Sequence, residues 1–122
     1  MATILVVEDN AANMKLALFL LQNAGYSVLC APDAEAGLTL ARQERPDLIL
    51  MDIQLPGMDG LAATALLKRD EMTHAIPVIA LTALAMKGDE ERIRAAGCVG
   101  YIAKPMGYRE VLATVAAQLG GT

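Results

Sequence analysis

Several polar residues stand directly behind apolar, strand-like runs. Glu8 and Asp9 follow Ile4 to Val7, Asp52 follows Leu48 to Met51, Thr82 follows Val78 to Leu81, and Lys104 comes just after Val99 to Ile102 and Ala103. If the first and third runs are neighbouring strands, three carboxylates converge. Each unscreened pair at about 4 Å would repel by about 4 kcal/mol at an effective dielectric of about 20. Such a cluster calls for a cation. Oxygen ligands without His or Cys nearby suit a hard ion, and a few carboxylates with room for waters and phosphate oxygens favour Mg²⁺ over a dedicated Ca²⁺ cage. A carboxylate beside that ion, faced by a lysine and a hydroxyl, has the parts needed to take a phosphoryl group onto its own oxygen. The cation and Lys104 would neutralise the equatorial oxygens, and Thr82 would hydrogen-bond one oxygen of the product. Taken singly, an Asp at a strand end is commonly a cap or turn residue and a Lys is commonly solvated. The joint pattern carries the reading.

The elements that must position these residues alternate regularly. Strands are expected at Ile4 to Val7, Ser27 to Cys30, Leu48 to Met51, Val78 to Leu81 and Val99 to Ile102. Helices are expected at Ala11 to Ala24, Ala34 to Gln43, Gly60 to Lys68, Glu90 to Ala96 and Tyr108 to Leu119. Asn10, Asp33, Asp59 and Asp89 are candidate helix caps, and Gly25, Gly97 and Gly120 can close helix ends. Strand–helix alternation predicts an α/β fold, a parallel sheet with helices on both faces. The first and third strands are continuous apolar runs, as expected of central strands. Ligands of such sheets bind outside the carboxyl ends of the strands, where the winding reverses.

The chain has 122 residues, 55% of them hydrophobic, which suits one compact domain; residues 1–122 are expected to form it with no attached effector domain. A formal charge of −4, with three Tyr, one Phe and no Trp, argues against a nucleic-acid binder. The first strand starts almost at the N-terminus with no signal-peptide pattern, and the apolar run Leu16 to Leu21 is too short for a bilayer. A cytoplasmic location and no membrane insertion are expected. Cys30 and Cys98 lack metal-ligand spacing and read as small buried hydrophobes. His74, without a partner ligand in view, reads as a solvated loop residue.

Four separated segments closely resemble the receiver domain of two-component response regulators: Val6-Val7-Glu8-Asp9-Asn10, Leu50 to Gly60 around Asp52, Ala80-Leu81-Thr82-Ala83, and Tyr101-Ile102-Ala103-Lys104-Pro105. Within the family, Asn13 to Leu16, Met51 to Pro56 and Ala85 to Arg92 look most like the stand-alone DivK type of cell-cycle regulator. The resemblance implies a flavodoxin-like (βα)5 fold with five parallel strands in the order 2-1-3-4-5. It implies that Asp52 is the phospho-acceptor, and that Mg²⁺, replaceable by Mn²⁺, is held by Glu8 (through water), Asp9, Asp52 and the backbone carbonyl of Gln54. It also implies that Thr82, Ala83 and Lys104 bind the phosphoryl oxygens, with Lys104–Pro105 a cis peptide. Thr82 and Tyr101 would be the switch pair: the hydroxyl moves toward the phosphoryl group and the ring turns into the vacated space. A Tyr that merely covers the sheet edge is the alternative role. Gln54 and Leu84 sit where family members tune hydrolysis; neither is a base, so slow self-hydrolysis is expected.

The implied partners are a histidine kinase or histidine phosphotransfer protein and a downstream protein reading the surface of helix four, strand five and helix five. Helix one is apolar nearly all round; with Met14, Leu18 and Leu21 facing the core, Leu16, Phe19 and Leu20 are left on or near a second face, as a donor-docking surface or, as the alternative reading, as residues partly buried under neighbouring loops. Met86, Tyr101 and Tyr108 are candidates on the output side. Three rival functions fit less well. An aspartyl-nucleophile phosphatase needs a second Asp where Gln54 stands, and a receiver-like module that has lost its chemistry would have lost one of Glu8, Asp9, Asp52, Thr82 or Lys104. A nucleotide or flavin carrier would show a Gly-rich loop after the first strand.

Overall fold

The computed structural model describes residues 2–83 and 87–120. Its strands are β1 (Thr3–Val7), β2 (Ser27–Ala31), β3 (Leu48–Asp52), β4 (Val78–Thr82) and β5 (Gly100–Ala103). Its helices are α1 (Ala11–Asn23), α2 (Ala34–Glu44), α3 (Gly60–Arg69), α4 (Lys87–Ala96) and α5 (Tyr108–Gln118). All strand pairs are parallel, in the order β2-β1-β3-β4-β5. The winding therefore reverses between β1 and β3, and their carboxyl ends form the crevice in which Glu8, Asp9 and Asp52 stand.

The apolar runs explain the sheet. Ile4 to Val7, Leu48 to Met51 and Val78 to Leu81 have no exposed surface, as strands covered on both faces must. Their alternate side chains feed two cores. One holds Leu5, Val7, Ile49 and Met51 under α2 and α3, and the other holds Ile4, Val6, Leu48 and Leu50 under α1 and α5. Each such aliphatic side chain contributes about 1.5–3 kcal/mol of burial, so the strand ends that carry the polar groups rest on the most firmly packed part of the molecule.

Local signals fix most helix ends. Asn10, Asp33 and Asp59 accept from the backbone N–H of Asn13, Ala36 and Ala62 at 2.9, 2.8 and 2.8 Å, satisfying donors that a helix start leaves open. Gly25, Gly97 and Gly120 all take positive φ, as glycines just past a helix do. Asp89 is not a cap. Helix α4 begins at Lys87, so Asp89 lies inside its first turn and pairs with Arg92 at 3.0 Å.

Two further expectations are corrected by packing. On α1 the core stripe is Ala17, Leu20 and Leu21, with Met14 packed beside it, while Leu18 is only half-buried. Leu20, expected on the outer face, is thus a core residue; an apolar run without a polar side does not reveal which stripe turns inward. Cys98 is buried as expected, but Cys30 is exposed because β2 is an edge strand. No helix among the described residues is long and apolar enough to cross a membrane.

Candidate functional site

The carboxyl ends of β1, β3, β4 and β5 bring the predicted polar residues together. Glu8, Asp9 and Asp52 each place a carboxylate oxygen within 4.8 Å of the others, with Glu8 and Asp52 buried and Asp9 exposed. Lys104 Nζ reaches between the two buried acids, 2.9 Å from Asp52 Oδ2 and 2.7 Å from Glu8 Oε1. Strand register makes this possible. Asp52 lies opposite Leu81 and Thr82 opposite Ala103, and the Lys104 N–H donates to the Thr82 carbonyl at 2.7 Å. The Lys104–Pro105 bond is cis.

Each acid is held by its own loop. The backbone N–H of Gln54 donates to Asp52 Oδ1 at 2.9 Å, and that of Asn10 donates to Glu8 Oε2 at 3.2 Å. Beneath Asp52, Gly60 opens α3 hard against the strand: a Cβ there would lie 2.1 Å from the Asp52 carbonyl oxygen and 2.7 Å from Ile53 Cα. Only glycine lets the helix start where it backs the acid. The Asp59-Gly60 pair was legible as a helix start, but this close approach was not.

The electrostatics are those of a site with excess negative charge. Burial, then the adjoining Asp52 carboxyl, pushes Glu8 above the ordinary carboxylate range, and Lys104 and the Asn10 N–H only partly offset this. Burial alone would lower the pKa of Lys104, but its contacts with Glu8 and Asp52 outweigh that and leave it raised. Lys104 thus pairs with two of the three acids, Glu8 and Asp52. Glu8 Oε1 is buried, and its ion contact with Lys104 lacks the alignment of a hydrogen bond, so it has no hydrogen-bond partner. An all-oxygen donor set with a buried acceptor left over fits a hard divalent cation.

Thr82 is fully buried at the end of β4, and Ala83 beside it is exposed. Gln54 is exposed. Tyr101 is half-buried, and its hydroxyl donates to Glu90 Oε1 on α4. That bond, with the Glu90 charge, raises the phenol above its ordinary pKa. Glu90 was not expected at the site; the two residues sit on different elements, and no spacing rule connects them. Of the proposed partner-surface residues, Leu16 (37%), Phe19 (64%) and Tyr108 (59%) are exposed, whereas Leu20 is 8% exposed. Phe19 and Tyr108 line one groove of about 260 Å³ between α1 and α5, with Leu20 and Leu112 at its floor. Met86 and Leu84 lie outside the described residues. His74 is exposed, as expected.

Comparison with known proteins agrees with this fold. The family model described as "Response regulator receiver domain" matches residues 4–116. The polar-differentiation response regulator DivK of Brucella anthropi is 50% identical over 118 residues, covering 97% of this chain and 96% of the relative, and that of Brucella melitensis matches equally. Among solved structures, the chemotaxis protein CheY4 of Vibrio cholerae superposes with a TM-score of 0.93 at 28% identity, covering 98% of this chain and 99% of the other. The receiver domain of the sensor histidine kinase PA1611 of Pseudomonas aeruginosa, solved with a magnesium ion coordinated in its active-site cleft, superposes with a TM-score of 0.91. It is 37% identical and covers 98% of both chains.

Proposed function

The chain belongs to the response regulator receiver family, and from that premise we propose that it is a single-domain switch that accepts a phosphoryl group on Asp52 from a phosphohistidine donor. The observation that carries the proposal is the meeting of Glu8, Asp9 and Asp52 within 4.8 Å around Lys104 Nζ. Glu8, Asp9 and Asp52, with the Gln54 carbonyl, would hold Mg²⁺, with Mn²⁺ able to replace it. The ion, when bound, supplies charge neutralisation for the phosphoryl oxygens.

The chain's own groups supply the rest. An O–P bond forms at an Asp52 oxygen as the donor's N–P bond breaks, and the electron pair stays with the imidazole, which takes up a proton. Lys104 leaves its pairing with Asp52 Oδ2 to follow the charge onto the phosphoryl oxygens. The Thr82 hydroxyl and the exposed Ala83 backbone line the approach to those oxygens. Gln54 and Leu84 offer no general base, so self-hydrolysis is slow. Phosphorylation draws Thr82 toward the new group, and Tyr101 turns into the space it leaves. The donor, a kinase or phosphotransfer helical bundle, docks at Leu16 and Phe19 on α1. A downstream protein reads α4, β5 and α5, including Met86, Tyr101 and Tyr108. Likeness to DivK makes cell-cycle or differentiation control the proposed role, carried out in the cytoplasm.

Incubation with Mg²⁺ and acetyl phosphate, read by intact mass, tests the proposal. The wild type is expected to gain one phosphoryl group and Asp52→Asn none. Phosphate located on another residue, or equal uptake by the variant, refutes it.

A further inference from the structure

Tyr101 is tied to a residue that the phosphoryl chemistry does not use. Its ring lies over the α4 side of the sheet, packed against the core under α2 and α3, and its β4 neighbour by register is Ala80. Thr82, two residues further along β4, is fully buried, whereas Tyr101 is half-exposed with its hydroxyl on the Glu90 carboxylate of the surface helix α4. The hydroxyl is thereby directed outward, away from the interior side occupied by Thr82. The other charged groups acting on the phenol are Glu110 of α5 and Arg94 of α4. Asp89, next to Glu90, is engaged by Arg92 at 3.0 Å, which leaves the Glu90 carboxylate to Tyr101.

We propose that Glu90 is a positioning residue, a clasp that holds Tyr101 outward and sets how strongly phosphorylation must act before the ring turns. The inference rests on the switch reading of Thr82 and Tyr101 given above. Side chains move between staggered χ1 wells, and the hydroxyl is the far end of the ring, so a change of well carries it out of reach of a carboxylate fixed on the neighbouring helix. The hydrogen bond must therefore break when Tyr101 turns. A bond to an ionised acceptor is stronger than one between neutral groups. Its loss on switching is subtracted from whatever the phosphoryl group contributes, so it biases the resting equilibrium toward the outward form.

The test uses the full chain with Mg²⁺ and beryllofluoride as the phosphoryl mimic. Wild type, Glu90→Ala, Glu90→Gln, Tyr101→Phe and the Glu90→Ala/Tyr101→Phe double variant are compared by mimic affinity and by the Tyr101 ring resonances. Glu90→Ala is expected to bind the mimic about two- to tenfold tighter. Glu90→Gln, which keeps an acceptor, falls between it and wild type. In the Tyr101→Phe background, Glu90→Ala changes nothing, because no hydroxyl remains to be held. The Tyr101 phenol titrates above its usual range in wild type and returns toward it in Glu90→Ala. Unchanged or weaker mimic binding by Glu90→Ala, while the ring still moves, overturns the clasp; so does the same tightening in the Phe background. A wild-type protein that binds the mimic without any movement of Tyr101 overturns the switch reading, and the clasp with it.

Discussion

Replacing Lys104 with methionine keeps most of the side chain's length and removes its charge, which isolates the electrostatic role of the cationic group held between Glu8 and Asp52. Nζ lies 2.7 Å from Glu8 and 2.9 Å from Asp52, whose side chains are 0% and 3% exposed. Removing one partner of a buried ion pair destabilises by about 3–5 kcal/mol. Asp52 and Glu8 retain hydrogen bonds from Gln54 and Asn10, and the site opens to solvent beside Asp9. The expected loss in chelator is therefore near the lower end, about 3 kcal/mol, or roughly 10 °C in Tm for a chain of this size. The loss depends on pH with a definite sign. Glu8 already has a raised pKa in the folded state, and losing Lys104 raises it further. A group raised on folding keeps its contribution below its unfolded pKa and loses it as the pH rises through the folded value. The variant should therefore be close to wild type at about pH 4 and should fall away as the pH rises toward about 8. Magnesium at about a hundred times its Kd contributes about 2.7 kcal/mol to either protein. Without the Lys104 charge between the acids the variant should bind the ion more tightly, so at one fixed concentration its Tm should shift more than that of wild type and the gap should narrow. Thermal melts followed by circular dichroism, with chelator and with Mg²⁺ across this pH range, measure all three effects. A variant that melts with wild type in chelator at about pH 8 would show that Lys104 does not compensate the buried acids.

Gly60→Ala improves helix propensity by about 1 kcal/mol but places a Cβ 2.1 Å from the Asp52 carbonyl oxygen. The obstacle is backbone, which cannot rotate away, so overpacking of about 3 kcal/mol or more should win. Chemical denaturation should show the loss and Mg²⁺ titration a weakened site; wild-type values for both would contradict the packing. Phe19→Ala removes a side chain that is 64% exposed, so stability should change by no more than about 0.5 kcal/mol. The rate of phosphoryl transfer from the cognate kinase should fall severalfold, while uptake from acetyl phosphate stays the same. An unchanged kinase rate would remove α1 as the donor-docking surface.

The sequence alone determined what was local or repeated. Continuous apolar runs at Ile4 to Val7 and Leu48 to Met51 marked the central strands, because a strand covered on both faces has no polar side to show. Asn10, Asp33 and Asp59 marked helix starts because capping is a contact between residues three apart. Polar residues placed immediately after apolar strands located the site, since parallel strands end on the same side of a sheet. Tertiary structure decided what depends on neighbours remote in the chain. Which stripe of α1 turned inward, making Leu20 core, was settled by β1 and α5 rather than by a helix apolar on nearly every side. Cys30 was exposed because β2 has no strand beyond it, a fact of sheet order and not of composition. The share of Lys104 between Glu8 and Asp52, the approach of Gly60 to Asp52, and the hold of Glu90 on Tyr101 all arise between separate elements. Periodicity reports which way a side chain faces along its own element, and only packing decides what it meets there.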